Sequence, residues 1–117
     1  MPKLLIVNAD DYGRAPGVSR GILAAHRRGI VTSTTVMINQ PAVEEQLPDA
    51  LAAPRLGVGL HLVFTAWRPV LPPQQVPGLV DEQGFFLEQH DVWARAETIQ
   101  LPQLRLELAA QLERFVA

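Results

Sequence analysis

Two adjacent carboxylates, Asp10 and Asp11, follow closely on the apolar run Leu4-Leu5-Ile6-Val7, and one histidine, His61, sits late in the alternating run 57–63. These are the residues best suited to chemistry. Neighbouring carboxylates resist joint ionisation, and a divalent cation or a shared proton relieves that cost. A carboxylate and an imidazole are also a fitting donor pair for magnesium, manganese or zinc. Each feature has a plainer reading by itself: Asp-Asp as an Asx turn ahead of a helix, and His61 as a hydrogen-bonded structural residue. Their placement at the ends of two strands is what joins them.

The elements that must position them are legible in outline. Residues 4–7 have the length and β-branched content of a strand buried on both faces. In parallel α/β folds the loop after such a strand lies at the carboxyl edge of the sheet, where sites collect. Pro16 suits the first turn of a helix, although Ala15 is a poor cap. Val18, Ile22, Leu23 and His26 share one face of that helix, and Gly29 is placed to end it. Residues 30–38 are β-branched and read as a second strand. A second helix begins near Pro41, with Asn39 available as its cap and Val43, Leu47 and Leu51 as its apolar stripe. Pro48 should kink or shorten it.

In the third strand, 57–63, Val58, Leu60 and Leu62 share one face while Gly57, Gly59 and His61 share the other. The imidazole therefore projects into space that the glycines leave open. The connection 67–84 carries Pro69, Pro72, Pro73 and Pro77 and no periodicity, and connections of that length are usually functional or mobile. A last helix runs from about 97 or 102 to the end, with Leu101, Leu104, Leu108, Leu112 and Phe115 at helical spacings. The order βαβαβα implies an α/β fold of parallel strands with right-handed crossovers, in one domain over 1–117.

Composition narrows the function. The 117 residues are 48% apolar, so a core can form, and the formal charge of −2 points to neither nucleic acid nor an anionic membrane. With no cysteine, disulfides, zinc ribbons and thiol nucleophiles are excluded together. The amino terminus is too short and too β-branched for a signal peptide or a membrane span, which makes a cytoplasmic protein the expectation.

The stretches 5–13 (Leu-Ile-Val-Asn-Ala-Asp-Asp-Tyr-Gly), Pro16-Gly17-Val18, 29–34 and 57–62 resemble the YdjC-like carbohydrate deacetylases, a family that includes chitooligosaccharide deacetylase. Arg68-Pro69-Val70-Leu71-Pro72-Pro73, Leu79-Val80-Asp81 and Gly84-Phe85 extend the resemblance in order over nearly the whole chain. It implies a (β/α) fold like a TIM barrel and a divalent metal held by one Asp and two His. Magnesium is the first expectation, with zinc and manganese as alternatives. Position for position, Asp11 matches the metal-binding aspartate, His61 the first histidine and Asp10 the general base. Tyr12, Arg14 and Trp67 are candidate sugar contacts, since flat aromatic faces suit pyranose rings; Trp67 also reads as a loop anchor.

The family's second histidine belongs to a Ser/Ala-His-x-His-x-His-like motif beyond the last helix, and residues 1–117 contain no such motif. His26 on a helix and His90 in a loop lack the context to replace it. The resemblance is thus to the amino-terminal half of a family member, a complete barrel needing about 200 to 250 residues. The activity implied is removal of an acetyl group from an N-acetylated sugar or glycolipid. The alternative is a non-catalytic half-barrel that self-associates or binds a partner. Three parallel strands leave an unpaired edge, and a twofold homodimer is the simplest way to cover it.

Overall fold

Strands β1 (Asn8–Tyr12), β2 (Ser33–Val36) and β3 (Gly57–Leu60) form one parallel sheet, in that spatial order, in the computed structural model, which describes residues 1–117. Helices α1 (Pro16–Arg28) and α2 (Val43–Leu51) are the crossovers between them. These elements make up the first of two units, residues 1–61; the second comprises residues 62–117.

Pro16 opens α1 without a side-chain cap, and the Gly29 N–H closes it onto Ala25 O at 3.0 Å. Its inner face is Ser19, Ile22 and Leu23, with Val18 at the rim. His26 faces the turn after the helix, its Nδ1 2.7 Å from Val31 O. Around this helix and the sheet the core gathers Tyr12, Val36, Met37, Ile38 and Val43.

Four boundaries depart from expectation, one of them the end of β3, at Leu60 rather than Val63. The first strand begins at Asn8, not Leu4, and Leu4, Leu5 and Ile6 are exposed rather than buried on both faces. Only Val7 is held: its N–H donates to Thr32 Oγ1 at 3.0 Å and its carbonyl accepts from Thr32 N–H at 2.9 Å. Residues 4–6 join no strand ladder, so their propensity goes unused. In the second strand Ile30 is likewise exposed. The α2 helix has Ala42 rather than Asn39 at its N-cap position and spans 9 residues with Pro48 inside it. Its buried positions are Val43 and Ala50, while Leu51 is exposed. Seven residues at about 100° each return almost to the starting azimuth, and eight overshoot it.

In the second unit, short 3₁₀ turns at Pro73–Gln75 and Pro77–Leu79 lead to an antiparallel bridge between Val80 and Phe86. Helices α3 (Gln89–Ala94) and α4 (Leu101–Val116) follow. The buried positions on α4 are polar, Glu107 and Gln111, whereas Leu101 and Leu112 of the expected stripe are exposed. Glu107 accepts the N–H groups of Val70 at 2.8 Å and Leu71 at 3.0 Å, and Gln111 Nε2 at 2.8 Å. Gln111 brackets Val63, accepting its N–H at 2.9 Å and donating to its carbonyl at 2.6 Å. The preceding connection forms no strand ladder, so these backbone groups take side-chain partners instead. No helix is long and apolar enough to cross a membrane.

Candidate active site

A β-bulge builds this site. Asn8 and Ala9 pair with Ser33 and Thr34, but the next partner pair is Tyr12 with Val36, so β1 carries one residue more than β2. Asp11 absorbs the excess with φ +69°. That left-handed conformation costs an L-residue about 1–2 kcal/mol, and aspartate is among the residues that tolerate it. In a regular strand successive side chains point to opposite faces. Here both carboxylates reach one cluster.

Asp10 Oδ1 accepts from Asn8 Nδ2 at 2.8 Å and from Thr35 Oγ1 at 3.0 Å. Ser33 Oγ in turn donates to Asn8 Oδ1 at 2.7 Å. The Thr35 hydroxyl also lies 3.2 Å from His61 Nδ1, and Asp11 Oδ1 is 3.5 Å from the same nitrogen. His61 is set by backbone pairing, since its N–H donates to Val36 O at 2.9 Å and carries the β2–β3 ladder one residue past β3. Arg14 pairs with Asp11 Oδ2 at 3.0 Å, its guanidinium in solvent. The Asp11 and His61 side chains are 32% and 30% exposed, open enough to meet a ligand.

Asp10, Asp11 and His61 are thus brought together, with Arg14 beside them. A carboxylate and an imidazole on one face form a donor set that suits a divalent ion. No group of three or more His, Cys, Asp or Glu gathers at an ion-holding spacing.

Tyr12 is a correction. It was expected against sugar, but it is completely buried and its hydroxyl donates to Gln46 O at 2.6 Å. Burial and the Asp49 carboxylate raise its phenol above the ordinary value of 10.0. One residue past the bulge, its side chain belongs to the core. Trp67 lies in the second unit at φ +66°, edge-on to Phe85 with ring centroids 5.4 Å apart. Its carbonyl accepts from Phe86 N–H at 2.8 Å, which anchors the loop, and the residue remains 45% exposed. His26 and His90 stand outside the cluster on their own helices, His90 beside Asp91 at 3.3 Å.

From sequence the hydroxyl run 32–35 fits either strand propensity or a face toward the site, and Ser33 and Thr35 are the two that reach the cluster; Asn8 carries no such signal. The alternation of Ser33 and Thr35 along one strand face was the available signal, because β periodicity aims both at the same side.

The family profile described as YdjC-like protein matches residues 4–117. The chain is 45% identical over 115 residues to a carbohydrate deacetylase of Geobacillus stearothermophilus, covering 98% of this chain and 44% of that protein. To a chitooligosaccharide deacetylase of Proteus mirabilis it is 43% identical over 118 residues, covering 99% and 44%. A crystal structure from Enterococcus faecalis V583, described as a candidate cellobiose-phosphate cleavage protein, superposes with a TM-score of 0.87 at 42% identity. It covers 94% of this chain and 42% of that one. The chain therefore spans less than half the length of these relatives and corresponds to their amino-terminal part. On sequence and fold together, it belongs to the YdjC-like family.

Proposed function

We propose that Asp11 and His61 are this chain's donors to a divalent ion, magnesium foremost, and that Asp10 is the general base of an amide hydrolysis. The substrate would be an N-acetylated sugar or glycolipid losing its acetyl group. The observation that carries the reading is the bulge at Asp11, which turns two sequence-adjacent carboxylates to one side and so allows them separate tasks. An ion at Asp11 and His61 would lower the pKa of a bound water, toward about 7 where the ion is zinc, and would polarise the amide carbonyl. Asp10 has its protein hydrogen bonds on Oδ1, so Oδ2 is the oxygen that would receive the water's proton. Arg14 holds the outer oxygen of Asp11 and would present its remaining N–H groups to sugar hydroxyls. The relatives' names support the reaction class and the sugar. Trp67 of the second unit, 45% exposed, carries an aromatic face of the kind that suits a pyranose.

Titration calorimetry of this chain with magnesium, manganese and zinc tests the donor assignment. Two protein donors leave most coordination positions to water, so binding should be weak, and Asp11→Ala or His61→Ala should abolish it. Submicromolar binding that survives both changes would displace the site. Acetate release from N-acetylglucosamine oligomers, measured in the longest reading frame containing this sequence, tests the chemistry. There Asp10→Asn should keep the metal and lose about 10²- to 10⁴-fold in rate. The exposed Leu4, Leu5 and Ile6 favour the second role, a self-associating module. Absent metal binding together with a dimer in light scattering would select it.

A further inference from the structure

We infer that the stretch 63–71 of the second unit is a carbohydrate contact built in advance: Trp67 touches the pyranose, and Glu107 and Gln111 are the positioning residues that fix the backbone carrying it. This rests on the sugar-binding part of the function proposed above and deepens it. Every residue used lies within residues 62–117.

Trp67 stands at φ +66°, a conformation that bulky side chains rarely adopt. Such an outlier persists only where the surroundings over-determine it, and outliers of this kind gather at ligand clamps. The surroundings here are two side chains one turn apart on α4. Gln111 uses its full capacity, accepting the Val63 N–H at 2.9 Å and donating to the Val63 carbonyl at 2.6 Å and to Glu107 Oε1 at 2.8 Å. Glu107 takes the other end of the stretch, with the Val70 N–H on Oε1 at 2.8 Å and the Leu71 N–H on Oε2 at 3.0 Å. Donors thus reach both of its oxygens, and a carboxylate accepts at both; an amide would turn a donor toward one of them. Both side chains are completely buried, and a buried carboxylate is costly in itself. The outcome is a surface stretch gripped at both ends, with its largest side chain near the middle.

The ring is not what anchors this stretch. Trp67 joins Phe86 through its carbonyl, a bond that any residue could make at that position. The indole meets Phe85 edge-on, and the Arg68 guanidinium, tied to Gln83 O at 2.9 Å, lies 4.0 Å from the centre of the Phe85 ring. Those contacts limit where the indole can turn, yet the residue stays nearly half exposed. An aromatic side chain held in one conformation, with much of its surface open, loses little freedom when a flat ligand face comes against it. Trp93 provides the contrast, 73% exposed on the regular backbone of α3.

The chain has two tryptophans, so two indole N–H signals in a ¹H–¹⁵N spectrum read the two positions separately. Titration with N-acetylglucosamine oligomers should shift the Trp67 signal and leave that of Trp93 in place. Glu107→Gln should keep the contact but weaken it by about 3- to 10-fold, since the stretch must then be ordered on binding, and should speed hydrogen exchange at the Val70 and Leu71 amides. Trp67→Gly should bind no sugar in saturation-transfer spectra, while its urea midpoint falls less than that of Glu107→Gln, because glycine accepts the positive φ. A Trp67 signal that moves no more than that of Trp93 would overturn the inference. So would wild-type affinity in Glu107→Gln, or a Trp67→Gly chain as destabilised as Glu107→Gln, which would make the indole a structural anchor. Sugar binding at Trp67 without acetate release in the longest reading frame would refute the proposed reaction and leave this contact standing. If Glu107→Gln fails to fold, Gln111→Met, which releases the Val63 end, takes its place with the same expected weakening.

Discussion

Replacing Asp11 by glycine and by alanine separates the carboxylate from the backbone that carries it. Both variants lose the side chain, its pairing with Arg14 and its approach to His61, so those losses cancel in the comparison. What remains is the conformation at φ +69°. Alanine there pays the left-handed penalty of about 1–2 kcal/mol, whereas glycine adopts the region freely. Glycine gives back about 0.4–1 kcal/mol through the greater freedom of its unfolded chain. The net expectation is that Asp11→Gly is more stable than Asp11→Ala by about 0.5–1 kcal/mol, the reverse of the order in a regular strand or helix. Urea unfolding followed by far-ultraviolet circular dichroism measures the difference from the two midpoints. Calorimetry should find both variants equally poor at binding metal. Equal stability, or alanine the more stable, would show that residue 11 is not left-handed in solution, and the bulge could not then be what brings the two carboxylates together.

Glu107→Ala should cost about 3 kcal/mol, because the Val70 and Leu71 N–H groups and Gln111 Nε2 lose their acceptor at the low end of about 1–3 kcal/mol each; a loss under about 1 kcal/mol in chemical denaturation would refute the clamp. Gly13→Ala meets a φ of +92° and places a Cβ 2.8 Å from Val43 Cγ2, so a loss of about 2 kcal/mol is expected. Combining it with Val43→Ala should be less than additive, as a shared contact requires. Tyr12 has its folded pKa raised above 10.0 by burial and Asp49. Its contribution is therefore complete below the unfolded value and is lost as pH rises through the folded one. Tyr12→Phe should flatten that alkaline fall and cost about 1 kcal/mol at neutral pH, where the bond to Gln46 O is missing. A wild-type alkaline slope unchanged in Tyr12→Phe would assign it to another group.

The polar grip of α4 has a bearing on design as well as stability. A helix that turns Glu107 and Gln111 inward while leaving Leu101, Leu106 and Leu112 exposed would be misread by any stripe of apolar spacing. The physical reason lies elsewhere in the second unit. The Val63, Val70 and Leu71 amides lie in a stretch without strand or helix pairing, and a buried N–H must find an acceptor. Helical spacing of four then lets Gln111 donate to Glu107 while it brackets Val63.

Much of the architecture was legible in the chain alone. Pro16 and Gly29 bound the first helix as expected, because proline at a first turn and glycine at its end act locally. The βαβαβ order and the parallel pairing follow from alternating periodicities and connection lengths, which are also local. The family follows from the run around Asp10, Asp11 and His61. Pairing partners decided the rest. Leu4, Leu5 and Ile6 have strand propensity, but a strand exists only where another backbone lies beside it. Tyr12 follows two candidate site residues in sequence yet is buried in the core, and Asn8, Ser33 and Thr35 join the site from two strands. Whether Asp10 and Asp11 share a face is a question of register, and period-two alternation alone would have set them apart. Only the pairing of β1 with β2, one residue against none at Asp11, turns both carboxylates to the side where His61 emerges.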